Sequence, residues 1–191
     1  MLLRPLLLAL TLLTALVRPD AALAQRAEPG PGQFSASELV DAGHSFFGGV
    51  SAAIAGGIES AVARYGYPTG YVLGEEGSGS IAVGLRYGEG RLRTRDGADL
   101  PIFWQGPSLG WDFGADGSRV MILVYNMRDP RQLLHRFAGV SGSAYFVGGV
   151  AVTALAAGNV TVVPIRSGVG LRLGANLGYL KFTDRPEWNP F

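Results

Sequence analysis

The segment Ala82-Val83-Gly84-Leu85-Arg86-Tyr87-Gly88 comes back further along the chain as Gly168-Val169-Gly170-Leu171-Arg172-Leu173-Gly174, with five of seven positions identical. As strands, both copies send alternate residues to opposite faces. Val83, Leu85 and Tyr87 form a bulky apolar side, as do Val169, Leu171 and Leu173. The other side holds small residues around a single Arg, Arg86 in the first copy and Arg172 in the second. A glycine-lined face lets a strand curve sharply and lets another backbone come close.

The surrounding residues carry the same pattern. Apolar runs at 71–73, 81–87, 91–95, 100–105, 108–113, 119–126, 143–154, 160–166 and 168–182 predict strands. Gly88-Glu89-Gly90, Asp96-Gly97, Gly106-Pro107 and Asp116-Gly117 predict the turns between them. One short helix is expected over 130–137, with Asp129 as its cap and Pro130 at the first helical position. The fold class is therefore mainly β: a small antiparallel β-barrel of about 8–10 strands. A membrane-spanning barrel does not fit. The residues alternating back from Phe191 are Asn189, Glu187, Arg185 and Thr183, not a lipid-facing row, and Pro186 and Pro190 break the segment.

A helix precedes the strands. Ser35-Ala36-Ser37-Glu38 has the form of a capping box. Phe47, Val50, Ile54, Ile58 and Val62 then recur at helical spacing, which predicts one glycine-rich helix over 36–64. Its second ridge is small, with Gly48, Gly49, Gly56 and Gly57 in it. Each helical Gly costs about 1 kcal/mol relative to Ala, so close backbone approach is implied. Packing of this ridge on the glycine surface of the domain's own sheet is the expectation. A membrane-inserting glycine zipper fits less well, because the uncharged run 45–58 is 14 residues, short of a span.

The first residues read as an export signal. Met1 to Arg4 is basic, 6–17 is apolar, and Ala22-Leu23-Ala24 is a small-x-small cleavage pattern. Residues 1–24 are expected to be a signal peptide cut after Ala24, with no transmembrane span left behind. Residues 25–34, rich in Pro and Gly, form a leader, and 35–191 form a single domain.

Composition removes most chemistries. The 191 residues contain no Cys, two His and one Lys, Lys181. Disulfides, thiolate metal sites and Schiff-base chemistry lack their parts. With 16 basic and 15 acidic residues and no basic run, there is no nucleic-acid footprint. Gly139-Val140-Ser141-Gly142-Ser143 has Ser at the fifth position, where a nucleophile elbow needs Gly. His44 and His135 read as exposed or capping rather than as triad members. Gly168-x-Gly170-x-x-x-Gly174 has the wrong spacing for a dinucleotide site. No catalytic residue, metal or cofactor is expected, and the protein reads as a non-enzyme.

Five residues remain as candidate ligand contacts: Arg86, Arg166, Arg172, Trp104 and Trp111. The arginines sit on the glycine-lined faces, and Arg86 and Arg172 are expected to point into a lumen. An Arg there must be paired or hydrated. One reading pairs it internally, with Asp112 or Glu75. The other opens the lumen to an anionic amphiphile, with Arg on the head group and aromatic rings on the chain.

Several blocks together resemble the envelope integrity protein A (EipA) family. They are the run from Phe103 through Trp104, Trp111 and Asp112 to Gly114; Val124-Tyr125-Asn126; the run from Gly139 to Tyr145; Pro164-Ile165-Arg166; the run from Gly168 to Phe182; and Trp188-Asn189-Pro190-Phe191. The resemblance covers most of the chain beyond the leader. It implies a soluble periplasmic protein of Gram-negative bacteria, built as a conical β-barrel, that keeps the envelope intact and is tied to outer-membrane polysaccharide. More distantly, Trp104, Pro107 and Gly110 to Gly114 are similar to the SYLF lipid-binding domain, without the longer insertion expected after the Pro. The implied partners are an envelope lipid or lipid-linked glycan in the lumen. If the barrel is solid, they are instead envelope proteins bound at its surface.

Overall fold

A computed structural model of the chain describes residues 28–49, 52–112, 118–140, 145–147, 150–166 and 178–189; within these, only the backbone is described at 78–84, 108–112, 118, 145–146 and 150–151. The expected signal peptide, the Asp116-Gly117 turn, Ser141 and Ser143 of the rejected elbow, and the second glycine copy with Arg172 lie outside the described residues.

Strand β3 (Ser118–Tyr125) displays the logic of the fold. Val120, Ile122 and Val124 belong to one apolar cluster, and Met121, Leu123 and Tyr125 to another, all buried. A strand buried on both faces needs a layer on each side. On one side the layer is the rest of a closed barrel. Its order is β1 (Gly70–Thr94), β2 (Asp99–Asp112), β9 (Tyr179–Thr183), β4 (Arg136–Gly139), β7 (Leu155–Ala157), β8 (Val160–Arg166) and β3, back to β1. Every adjacent pair is antiparallel. A hairpin of β5 (Tyr145–Val147) and β6 (Val150–Val152) forms a second, two-stranded sheet, with Val152 packed in the cluster of Val163 and Ile165. The nine strands among the described residues agree with the expected barrel.

On the other side of β3 the layer is helical. Here the expected single helix is in fact two, α1 (Ala36–Phe47) and α2 (Ala52–Tyr65). The capping box forms as read: Glu38 N donates to Ser35 Oγ, and Ser35 N donates to Glu38 Oε2 at 2.9 Å. Gly48 ends α1 in the left-handed region at φ 74°, and Gly49 follows at φ 134°. These two glycines are a stop signal of the kind helices end on, not members of a ridge. Ile54, Ile58 and Ala61 of α2 and Leu39 of α1 pack on Met121, Leu123, Val163 and Ile165. The helices therefore rest on bulky apolar side chains, and the expected glycine surface lies elsewhere.

That surface is used inside β1. The Gly88-Glu89-Gly90 turn does not exist: these residues continue a 25-residue strand, opposite Trp104, Phe103 and Ile102. Gly106-Pro107 likewise runs through β2 opposite Arg86 and Leu85. The first part of β1 pairs with β3 and the later part with β2, so the strand must coil back on itself. A methyl group on Gly74 would lie 2.2 Å from the Glu89 carbonyl oxygen, and one on Gly90 would lie 2.4 Å from that of Leu73. Two backbones touch there, which only Gly permits.

The short helix is shorter than expected. Pro130–Leu133 is one 3₁₀ turn, capped by Asp129, whose Oδ1 accepts from Arg131 N at 2.8 Å. Phe137 lies instead in β4, where it is buried in the barrel interior. Pairing of β4 with β9 and β7 completes the barrel and outweighs continuation of the helix.

Candidate functional site

Among the described residues the interior is packed. All seven barrel strands place apolar side chains in one cluster, with Trp104, Phe137 and Phe182 among its largest members. Phe137 and Phe182 meet edge to face at 5.5 Å. Glu76, Arg86 and Arg166 keep step along their strands with Val72, Leu92 and Val162, so they enter this interior.

There they meet. Glu76 is 6% exposed, and its carboxylate accepts from Arg166 Nε at 2.9 Å and Arg166 Nη2 at 3.2 Å. Arg86 Nη1 lies 3.6 Å away, and Trp104 Nε1 donates at 2.9 Å. Burial pushes the Glu76 carboxyl up. The charges of Arg166 and Arg86, with the hydrogen bonds from Arg166 and Trp104, outweigh it and hold the pKa at about 2. Three of the five candidate residues thus converge on a carboxylate that the sequence reading did not single out.

The ion partner is Glu76, not Glu75. Glu75, one residue away, faces outward and pairs with Arg119 at 3.7 Å. A shift of one residue in a strand exchanges its faces. Asp112 pairs through its backbone with Ser80. Trp111 stands opposite Ile81, but its side chain, like the whole of Arg172, lies outside what is described. His44 and His135 are both exposed.

Beside Arg86 and Arg166, a cavity of about 20 Å³ is walled by Thr153, Pro164 and Leu180. It has room for one water molecule and not for an alkyl chain.

A larger hollow lies outside, at the coil of β1. Its volume is about 340 Å³. Tyr87, Phe103 and Trp188 supply aromatic walls, Trp104 and Gln105 line it from the barrel wall, and Glu75, Glu89 and Glu187 add carboxylates. Trp104 is held against Gly88: a methyl group there would lie 2.1 Å from the indole. Tyr87, Gln105 and Lys181 are cross-strand partners on β1, β2 and β9 and share the outer face.

The segment 184–189 is tied over this row. Lys181 Nζ donates to Glu187 Oε2 at 2.9 Å and to the Asn189 carbonyl at 3.1 Å. Tyr87 OH donates to the Trp188 carbonyl at 2.9 Å, and the two rings sit 5.0 Å apart. Trp188 is nonetheless 80% exposed. Gln105 beneath is 1% exposed, and its Nε2 has no hydrogen-bond partner among the described residues. A buried donor left unmade costs about 1–3 kcal/mol, so its presence calls for a reason.

Residues 32–191 match the family described as Envelope integrity protein A. The chain belongs to that family. The envelope integrity protein A match takes in the helices, the barrel, the buried Glu76 cluster and the segment that carries Trp188. A crystal structure of a beta-barrel-like, uncharacterized protein from Brucella abortus is 54% identical, with a TM-score of 0.76, over 84% of this chain and 99% of that one. No curated protein matches. No described helix is long and apolar enough to cross a membrane.

Proposed function

We propose that this protein is an exported, periplasmic, non-enzymatic component of the cell envelope. It supports envelope integrity by binding an envelope lipid-linked glycan on the outside of its barrel. The observation that carries this reading is the state of the interior. Among the described residues apolar side chains fill it, and its charged groups pair around Glu76. A carboxylate held at about pKa 2 is ionised at any envelope pH, so it has no proton to trade in acid–base catalysis. Arg86 and Arg166, two of the arginines offered as head-group contacts, are engaged by Glu76. Of the outer hollows, the one at the coil of β1 brings aromatic rings and a buried amide together, and we assign the ligand to it. A solid barrel serving as a scaffold for envelope proteins is the second reading, and the same packed interior favours it.

The test uses the mature chain purified from the periplasm and native mass spectrometry against glycolipid extracted from the host's own envelope. A stoichiometric glycolipid adduct is expected, along with detergent sensitivity of a deletion strain that the wild-type gene repairs. No adduct, with crosslinking in cells returning one repeated protein partner, would replace this reading with the scaffold.

A further inference from the structure

We infer that the hollow between Tyr87, Gln105 and Trp188 is a subsite for one uncharged sugar ring. This rests on the reading of the protein as a glycan-binding module and names the part of the glycan held.

Its volume, about 340 Å³, sits at the small end of the roughly 300–1,000 Å³ typical of ligand sites. Trp188 shows most of its surface to water, although its main chain is pinned by Tyr87 and its neighbours by Lys181. An indole fixed in place and left uncovered is a stacking platform. The polarised C–H face of a pyranose meets the negative face of such a ring. Gln105 lines the same hollow and supplies what a platform lacks, a buried amide N–H with no acceptor among the described residues. A ring oxygen, hydroxyl or acylamino carbonyl would accept from it. Glu89, exposed on the rim, has no ion pair among the described residues and is open to accept from sugar hydroxyls.

The same inventory argues against the alternatives. Among the described residues no Lys or Arg lines the hollow, while Glu75, Glu89 and Glu187 do, so a phosphate or carboxylate head group meets like charge. An ammonium group would suit the carboxylates and rings but has no lone pair for Gln105. A neutral, hydroxyl-rich ring uses all three features.

The test takes the full mature chain and follows the Trp188 indole and Gln105 amide NMR signals. The probes are the water-soluble polysaccharide released from the host envelope by mild acid, N-acetylglucosamine, inorganic phosphate and spermidine. The polysaccharide or the amino sugar should move both signals saturably, and phosphate and spermidine should move neither. Trp188→Ala should weaken binding by at least roughly tenfold with the circular dichroism unchanged, and Trp188→Phe should restore most of it. Gln105→Leu should weaken binding while raising stability. The subsite is overturned by silence toward both glycans, by a response to phosphate or spermidine alone, or by undiminished binding in Trp188→Ala. Intact glycolipid that still binds Trp188→Ala would remove the subsite and leave the broader function standing. Failure of glycolipid to bind the wild type would remove both.

Discussion

The barrel has two covered outer faces, and they are covered in opposite ways. Over β3, β8 and the start of β1 the strands point Met121, Leu123, Tyr125, Val163 and Ile165 outward, and two helices close on them with apolar contacts. Over the later part of β1, β2 and β9 they point Tyr87, Gln105 and Lys181 outward, and a six-residue segment is held there by hydrogen bonds and one ion pair. The hydrophobic effect has no direction, so an apolar face draws in whatever fills it and leaves no gap. Hydrogen bonds fix points rather than areas. A cover held at points leaves space between them, and the 340 Å³ hollow is that space. Where ligand binding is sought on a barrel with a packed interior, the polar cover is the place to look.

Both covers depend on the interior beneath them, so the largest effect should come from there. Glu76→Gln leaves Arg86 and Arg166 facing a neutral amide and should cost about 3–5 kcal/mol in urea unfolding, because one partner of a buried ion cluster is gone. The pH dependence gives a second readout. The folded pKa of about 2 lies below the ordinary 4.5, so the unfolded chain takes up the proton first as pH falls. The stabilisation is full above pH 4.5 and is lost progressively toward pH 2. Glu76→Gln should flatten that acid limb. Glu38 is held near pKa 2 chiefly by its hydrogen bond from Arg95, but it is exposed, so Glu38→Gln should flatten the limb far less. An unchanged limb in Glu76→Gln would mean that the cluster does not hold the barrel.

The helical cover should come next. Ile58 is fully buried between α2 and the barrel. Ile58→Ala should cost about 3 kcal/mol by the lost transfer and the cavity left behind. It should do so with glycan binding intact, because it loosens the apolar face and not the polar one. Loss of binding at equal occupancy of the folded state would show that the two faces are coupled.

Much of the fold was legible because periodicity reports burial. The apolar runs that predicted strands at 119–126 and 160–166 are what a strand buried on both faces carries, with Val120, Ile122 and Val124 in one cluster and Met121, Leu123 and Tyr125 in the other. Glycine misled in three places for one reason. At Gly48, Gly88 and Gly106 a local rule competes with a tertiary one: a helix ridge with a helix stop, and a turn with a strand pressed on a neighbour. Nothing near those residues in sequence tells a turn glycine from one that lets Trp104 lie flat on β1. Arg86 and Arg166 stood out in the sequence because charge on a small-residue face is conspicuous. Glu76 was not, since Glu75-Glu76 reads as a pair of turn acids until register assigns one to each face. Gln105 and Trp188 lie 83 positions apart, and only closure of β2 on β9 puts them in one hollow.

The smallest expected effect probes the polar cover alone. Lys181 is the chain's one lysine and ties the segment twice, to Glu187 and to the Asn189 carbonyl. Partly exposed ties of this kind are worth about 0–1 kcal/mol in global stability, so Lys181→Met should barely move the unfolding midpoint. It should still act locally. With its two ties gone, the segment still has Tyr87 and the Thr183 hydroxyl among its hydrogen-bond anchors. The amides at 186–189 should then exchange faster, and the Tyr87–Trp188 ring contact should loosen. Glycan affinity should fall several-fold through poorer positioning of the platform, a loss of pre-organisation rather than of contact. If Lys181→Met instead lowers stability as far as Ile58→Ala does, the segment is part of the barrel's cooperative unit. The two faces would then differ in chemistry without differing in kind.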